Sequence, residues 1–293
     1  MSPTIDTATA TKRRCGVRFA VCIMTSALSV AATCAQPPAA QVQPAPVPET
    51  GPGVLAGYLP REVLPDSLAL LPSPPAAGSA ALARDEAFSR ASLALRGTAR
   101  WALAAEDADL KFPQAADTFS CALSAPITEQ DTPHLYMLIR RSLADAGLST
   151  YRAKDHYSRA RPFTVNSEPI CTPSEETHLR SDGSYPSGHT AIGWAWALIL
   201  TEVAPDQTDA MRARGRAFGQ SRVVCNVHWE SDVLAGQIMG AATVARLHAD
   251  PTFRADLDAG KAELSAVRAK GLKPTRNCNA EAAAIALEPL QAP

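Results

Sequence analysis

The sequence has no excess of charge of either sign. Its 28 Lys and Arg stand against 29 Asp and Glu, a formal net charge of −1. A general nucleic-acid binder shows a basic excess, so that class is set aside. Any anion site must then be local, built from a few placed cations. After the N-terminal segment no stretch reaches the roughly 18 uncharged apolar residues that a bilayer span needs. No stable membrane span is therefore expected once that segment is removed. Period-two alternation is scarce, and internal repeats are lacking. No group of His, Asp and Glu has metal-ligand spacing, so neither a metal nor another cofactor is expected.

The chain does have apolar residues in quantity. They make up 46% of 293 residues, with 19% charged, enough to bury a sizeable core. At the N-terminus, Lys12, Arg13, Arg14 and Arg18 precede an uncharged, largely apolar run over 19–32. That pattern is a secretory signal, here taken as 1–35, with cleavage after Ala35 or after Ala32. An uncleaved anchor is the competing reading. Lipidation of Cys34 is disfavoured, because Ala31 and Thr33 make a poor lipobox. Location is then periplasmic or secreted. Residues 36–53 are rich in Pro, Ala and Gln and read as an extended linker. A second Pro-punctuated stretch, 64–75, has apolar anchors and is expected to pack irregularly.

From Ser79 onward the periodicity is helical. Ser79 is a candidate N-cap for a helix through Leu95, ended by Gly97. Thr132 followed by Pro133 reads as an N-cap with proline at the first helical position, and the run it opens ends at Gly147. The segment 189–203 is nearly all apolar and predicts a helix buried on most sides, stopped by Pro205. A more polar helix is predicted over 206–220. Another is predicted over 231–247, with Val233, Leu234, Ile238 and Val244 as core candidates. A charged terminal helix is expected over 251–270. The fold class is all-α, a single compact helical domain over 54–275, with a tail over 276–293.

Three short motifs stand in order. Lys154 is followed after six residues by Arg161-Pro162. Next comes Pro186-Ser187-Gly188-His189. Last is Ser221-Arg222, followed after five intervening residues by His228 and after three more by Asp232. Each alone is weak or moderate, since Lys-x6-Arg-Pro is usually solvated charge and a lone His is usually structural. Together they fix eleven residue types in one order, which coincidence does not readily give. The chain resembles the acid phosphatases and vanadium haloperoxidases that share one phosphate-binding helical fold. The string Gly183-Ser184-Tyr185-Pro186-Ser187-Gly188-His189-Thr190 is similar to the signature of the class A bacterial nonspecific acid phosphatases. The resemblance runs over about 58–269 and includes 103–108 and 221–232.

The resemblance implies that His228 is the nucleophile that takes the phosphoryl group and His189 the acid that protonates the leaving alcohol. Elementary chemistry agrees. The charge on the three equatorial phosphoryl oxygens must be stabilised as it shifts. Lys154 supplies a point charge, and Arg161 and Arg222 supply planar forks. Ser187 and Gly188 open the long apolar helix, whose unsatisfied N–H groups and dipole suit an anion. If a helix starts near His228, Asp232, four residues on, shares a face with it and can orient the ring. His134, His156, His178 and His248 have no such context and read as surface or packing residues.

The resemblance implies an enzyme, an acid phosphatase acting on small phosphate monoesters, with phosphotransfer to alcohols as a companion activity. It also implies a homo-oligomer. A lipid phosphatase of the same superfamily normally has several membrane spans. A vanadium haloperoxidase would use the same cradle for vanadate. A non-catalytic phosphate binder would keep the cations but lose a histidine or Asp232. Of seven cysteines, Cys15 and Cys22 leave with the signal, as does Cys34 if cleavage follows Ala35; Cys121, Cys171, Cys225 and Cys278 then remain, which allows two disulfides in three connectivities. In common members of the resembled family Cys171 and Cys225 occupy familiar positions, whereas Cys121 and Cys278 are additions. The favoured pairs are Cys171 with Cys225 and Cys121 with Cys278.

Overall fold

The computed structural model describes residues 43–287. The segment 1–35, expected to be a signal, lies outside the described residues, as do residues 36–42 of the linker. At the linker's end, β1 (Glu49–Gly51) pairs antiparallel with β2 (Val54–Leu55), the two strands found among the described residues. Everything else regular is helical. The first half holds α1 (Ser67–Leu70), α2 (Ala80–Ser92), α3 (Ala99–Glu106), α4 (Ser120–Leu123), α5 (Pro133–Leu148), α6 (Tyr151–Tyr157) and α7 (Pro162–Asn166). The second half holds α8 (Glu176–Ser181), α9 (Gly188–Val203), α10 (Thr208–Val224), α11 (Glu230–Leu247), α12 (Pro251–Ala269) and α13 (Cys278–Ile285). The domain is all-α.

Local chemistry explains most boundaries. The Ser79 side chain accepts from Leu82 N at 3.1 Å, as an N-cap should, and Gly97 turns the chain at φ +76°. Asp250 caps α12 by accepting from Phe253 N at 2.8 Å, with Pro251 at the first helical position. Within 64–75, Asp66 caps α1, Leu71 is buried, and the Tyr185 hydroxyl donates to Pro72 O. At α5 the expected cap is replaced. Thr132 bonds back to Thr128 instead, and the Glu263 carboxylate from α12 accepts from His134 N and Leu135 N at 2.9 and 3.0 Å. The helix also runs one residue past Gly147.

Helix α9 is the axis of the core and packs against α5, α10, α11 and α12. Trp196, on its inner side, donates its indole N–H to Ile139 O at 2.8 Å, with Phe112, Phe119 and Phe218 around it. The contact between α9 and α11 is backbone-close. A Cβ on Gly236 would lie 2.5 Å from Ser187 O, and one on Gly240 would lie 2.5 Å from Ala191 O. This close side sets the rotation of α11, with Val233 and Val244 inside. It corrects the expected core, because Leu234 and Ile238 are each 48% exposed. Each lies two positions, about 200° around the helix, from the glycine that faces α9.

Both favoured disulfides are present, Cys121–Cys278 and Cys171–Cys225. The first anchors α13, a helix inside the segment expected to be a tail, which packs on α3. The second holds the loop before α8 against the end of α10.

Candidate active site

Each candidate residue is delivered by the end of a helix. Lys154 lies in the last turn of α6, and Arg161 immediately precedes α7, whose first residue is Pro162. Ser187 is the N-cap of α9, followed by Gly188 and His189. Arg222 ends α10. The chain then reverses at Asn226, with φ +62°, so that Val227 N and His228 N both donate to Arg222 O at 3.1 and 3.2 Å. Asn226 is held by its side chain, which donates to Glu168 O and Asn166 Oδ1. His228 is thereby placed beside Arg222, and Asp232 follows in the first turn of α11.

These pieces converge on a cavity of about 190 Å³ lined by Lys154, Arg161, Gly188, His189, Arg222 and His228, among others. Ser187 and Asp232 stand behind the wall. The Ser187 hydroxyl accepts from Thr190 N and Thr190 Oγ1, and its backbone N–H donates to Asp232 O at 3.0 Å. Ser187 thus ties the start of α9 to α11, while Gly188 faces the cavity. His178, expected at the surface or in packing, is exposed and also lines the cavity, as do Tyr151, Glu175 and Asp182.

The histidine geometry fixes its tautomer. Arg161 Nη1, which only donates, lies 3.0 Å from His228 Nε2, and Asp232 Oδ2 lies 3.3 Å from His228 Nδ1. Nδ1 therefore carries the proton, and the Nε2 lone pair faces the arginine side. Burial pushes the imidazole well below its ordinary pKa, and Arg161, Lys154 and Arg222 push the same way. His189 is depressed too, by burial first and then by Arg222, while its Nε2 contact with Ala108 O at 3.0 Å opposes the shift.

The cations are buried, and one of them, Arg222, is short of partners. Burial lowers Lys154 to about 8, with Arg161 next among the causes. Burial and the neighbouring Arg161 lower Arg222 to about 9. Arg222 Nε and Nη1 have no hydrogen-bond partner. Such orphaned buried donors are costly unless an anion satisfies them. Among the described residues, no group of three or more His, Cys, Asp and Glu could hold a metal ion.

Two residues that sequence reasoning missed stand behind Asp232. Arg159 Nη1 donates to Asp232 Oδ1 at 2.6 Å, and Nη2 donates to Asp85 Oδ2 at 2.8 Å. Asp85, on α2, also accepts from Ser231 N and Ser231 Oγ at 2.8 and 2.5 Å. Arg159 falls within the variable six residues between Lys154 and Arg161, and Asp85 lies 146 positions from Ser231. No spacing rule connects them.

Comparison with known proteins gives this geometry its context. A family model described as the PAP2 superfamily matches residues 134–255. The chain is 44% identical over 212 residues to a non-specific acid phosphatase of Providencia stuartii, covering 72% of this chain and 86% of that one. This chain belongs to the class A bacterial nonspecific acid phosphatases. The phosphatase is also 42% identical to an acid phosphatase of Zymomonas mobilis, over 71% of this chain and 79% of the other. A non-specific acid phosphatase of Salmonella typhimurium is 41% identical over 67% and 78%. A transmembrane PAP2-type phosphatidylglycerolphosphate phosphatase of Bacillus subtilis aligns with a TM-score of 0.42 at 18% identity, over 61% of this chain and 87% of that one. Among the described residues of the phosphatase no helix is long and apolar enough to cross a membrane.

Proposed function

We propose that this acid phosphatase cleaves phosphate monoesters through a phosphohistidine at His228, without a metal or other cofactor. The observation that carries the reading is the pair of contacts on the His228 ring. Asp232 accepts from Nδ1, which leaves the Nε2 lone pair beside Arg161 and at the cavity wall. Lys154, Arg161 and Arg222, with the backbone N–H groups at the start of α9, hold the phosphoryl oxygens. Three cations suffice to neutralise a phosphate dianion.

In the first step Nε2 attacks phosphorus, the P–N bond forms and the P–O ester bond breaks. Protonated His189 gives its Nδ1 proton to the departing oxygen, while Nε2–H stays on Ala108 O. In the second step water attacks phosphorus, neutral His189 takes its proton, the P–N bond breaks and inorganic phosphate leaves. An alcohol in place of that water gives phosphotransfer. Dianionic substrate beside His189 offsets the cations that depress it, so binding itself promotes the protonated form.

The same reading places the enzyme in the periplasm or outside the cell after loss of 1–35, as a homo-oligomer. N-terminal sequencing of exported protein tests the location. For the chemistry, labelled aryl phosphate is quenched without acid, because phosphohistidine is acid-labile, and the labelled peptide is mapped. Label on His228 is expected. Label on His189 would reverse the two roles, and label on Ser187 would replace the histidine mechanism.

A further inference from the structure

Lys154 and Arg161 already share an anion that belongs to the chain. Asp182 Oδ2 lies 2.8 Å from Arg161 Nη2 and 3.4 Å from Lys154 Nζ. Its side chain is 23% exposed and lines the catalytic cavity, so the carboxylate stands on the wall and not behind it. The backbone around it engages the same two cations. Arg161 Nε donates to Asp182 O at 2.9 Å, and Lys154 Nζ donates to Gly183 O at 2.6 Å. The third cation differs, for Arg222 has two nitrogens with no hydrogen-bond partner.

We propose that Asp182 is a built-in competitor of the substrate's phosphate: it holds part of the Lys154–Arg161 charge and weakens the enzyme's grip on phosphate, so that product leaves. The inference rests on those two cations being phosphate ligands. A phosphate drawn in by Arg222 must then share Lys154 and Arg161 with a fixed carboxylate a few ångströms away. Like charges so placed disfavour the bound state. A site of three buried cations without such a counter-charge would hold inorganic phosphate tightly and turn over slowly after the chemistry, because uniform binding of a ground state does not raise kcat. The backbone carbonyls of Asp182 and Gly183 keep the cations in position in either case, so the carboxylate is not required merely to aim them.

The test is equilibrium binding of inorganic phosphate to the full-length enzyme and to Asp182→Asn and Asp182→Ser, with KM and kcat on an aryl phosphate. Partial exposure screens the repulsion, so the expected change is a phosphate dissociation constant roughly five- to tenfold lower in both variants. KM should fall alongside it, and kcat should not rise. A merely structural carboxylate would have the opposite signature, with weaker phosphate binding on its removal. Unchanged or weaker phosphate binding overturns the proposal, as does failure of both variants to fold, which would show a structural anchor. If the unaltered enzyme fails to bind phosphate at the cradle at all, the underlying assignment of Lys154 and Arg161 falls instead.

Discussion

At the residue scale the proposed chemistry makes opposing demands on two histidines. His228 must be neutral to attack, and burial with three nearby cations keeps it so far into the acid range. The sign is that of a depressed base: protonation of His228 occurs only well below its ordinary value, so the acid limb of kcat/KM should lie well below the range of a free imidazole. Of the cations, Lys154, lowered to about 8, loses its charge before Arg222, lowered to about 9. KM should therefore climb as pH passes about 8, and Lys154→Arg should carry that rise to higher pH. A pH–KM profile of the two proteins checks both limbs. His189→Ala and His228→Ala should fail differently. A general acid contributes about 10²–10⁴-fold, and less when the leaving group is already good. The His189 variant should thus retain more activity on aryl phosphates with acidic phenols than on alkyl phosphates, whereas the His228 variant should form no phosphoenzyme from either. Equal losses on both substrates would remove His189 from the acid role.

Behind these groups, Arg159 favours the ionised form of Asp232 and opposes the burial that, on balance, pushes that carboxyl up. Arg159→Gln removes the charge but keeps a donor. It should cost roughly tenfold or more in kcat and move the acid limb, because a protonated Asp232 no longer orients Nδ1–H. Loss of stability without a shift in the pH profile would mark Arg159 as structural only.

At the scale of elements, the fold is decided by how closely α11 approaches α9. Alanine at position 240 would gain about 1 kcal/mol of helix propensity. Its Cβ would meet Ala191 O at 2.5 Å and Ala195 N at 3.1 Å, backbone atoms that cannot rotate away. Overpacking typically costs about 1–3 kcal/mol, so Gly240→Ala should be destabilising on balance, by up to about 2 kcal/mol. Leu234→Ala, on the half-exposed side of the same helix, should change stability by no more than about 0.5 kcal/mol. Chemical denaturation of the pair separates packing from propensity. The apolar periodicity of 231–247 identifies a helix but not its rotation, because Leu234 and Ile238 look as core-like as Val233. Two glycines mark the buried side, and that signal is visible only once the facing backbone is known.

At the scale of the molecule, two disulfides close loops of very different length, with sequence separations of 157 and 54. In the chain-entropy account these contribute up to about 5 and 4 kcal/mol. Their effects on catalysis should run the other way. Cys225 sits between Arg222 and His228, and Cys171 adjoins Thr172, which lines the cavity. Cys121–Cys278 instead pins α13 on α3. Cys171→Ser/Cys225→Ser should lose more activity than Cys121→Ser/Cys278→Ser, although the latter loses at least as much stability. Thermal denaturation and turnover measured on the same preparations test the separation.

The sequence by itself determined the helical class, the cap at Ser79, the long apolar α9 and the three ordered motifs, because these depend on neighbours three or four residues apart or on short fixed strings. It also named Lys154, Arg161, Arg222, His189 and His228, which line the cavity, but not His178. Tertiary structure alone decided that Glu263 caps α5 and that Leu234 and Ile238 face outward. It alone joined Arg159 and Asp85 behind Asp232, set Asp182 across Lys154 and Arg161, and folded part of the expected tail into α13. Each of these depends on groups that the chain brings together from different elements, and contacts made that way leave no period or spacing along the sequence.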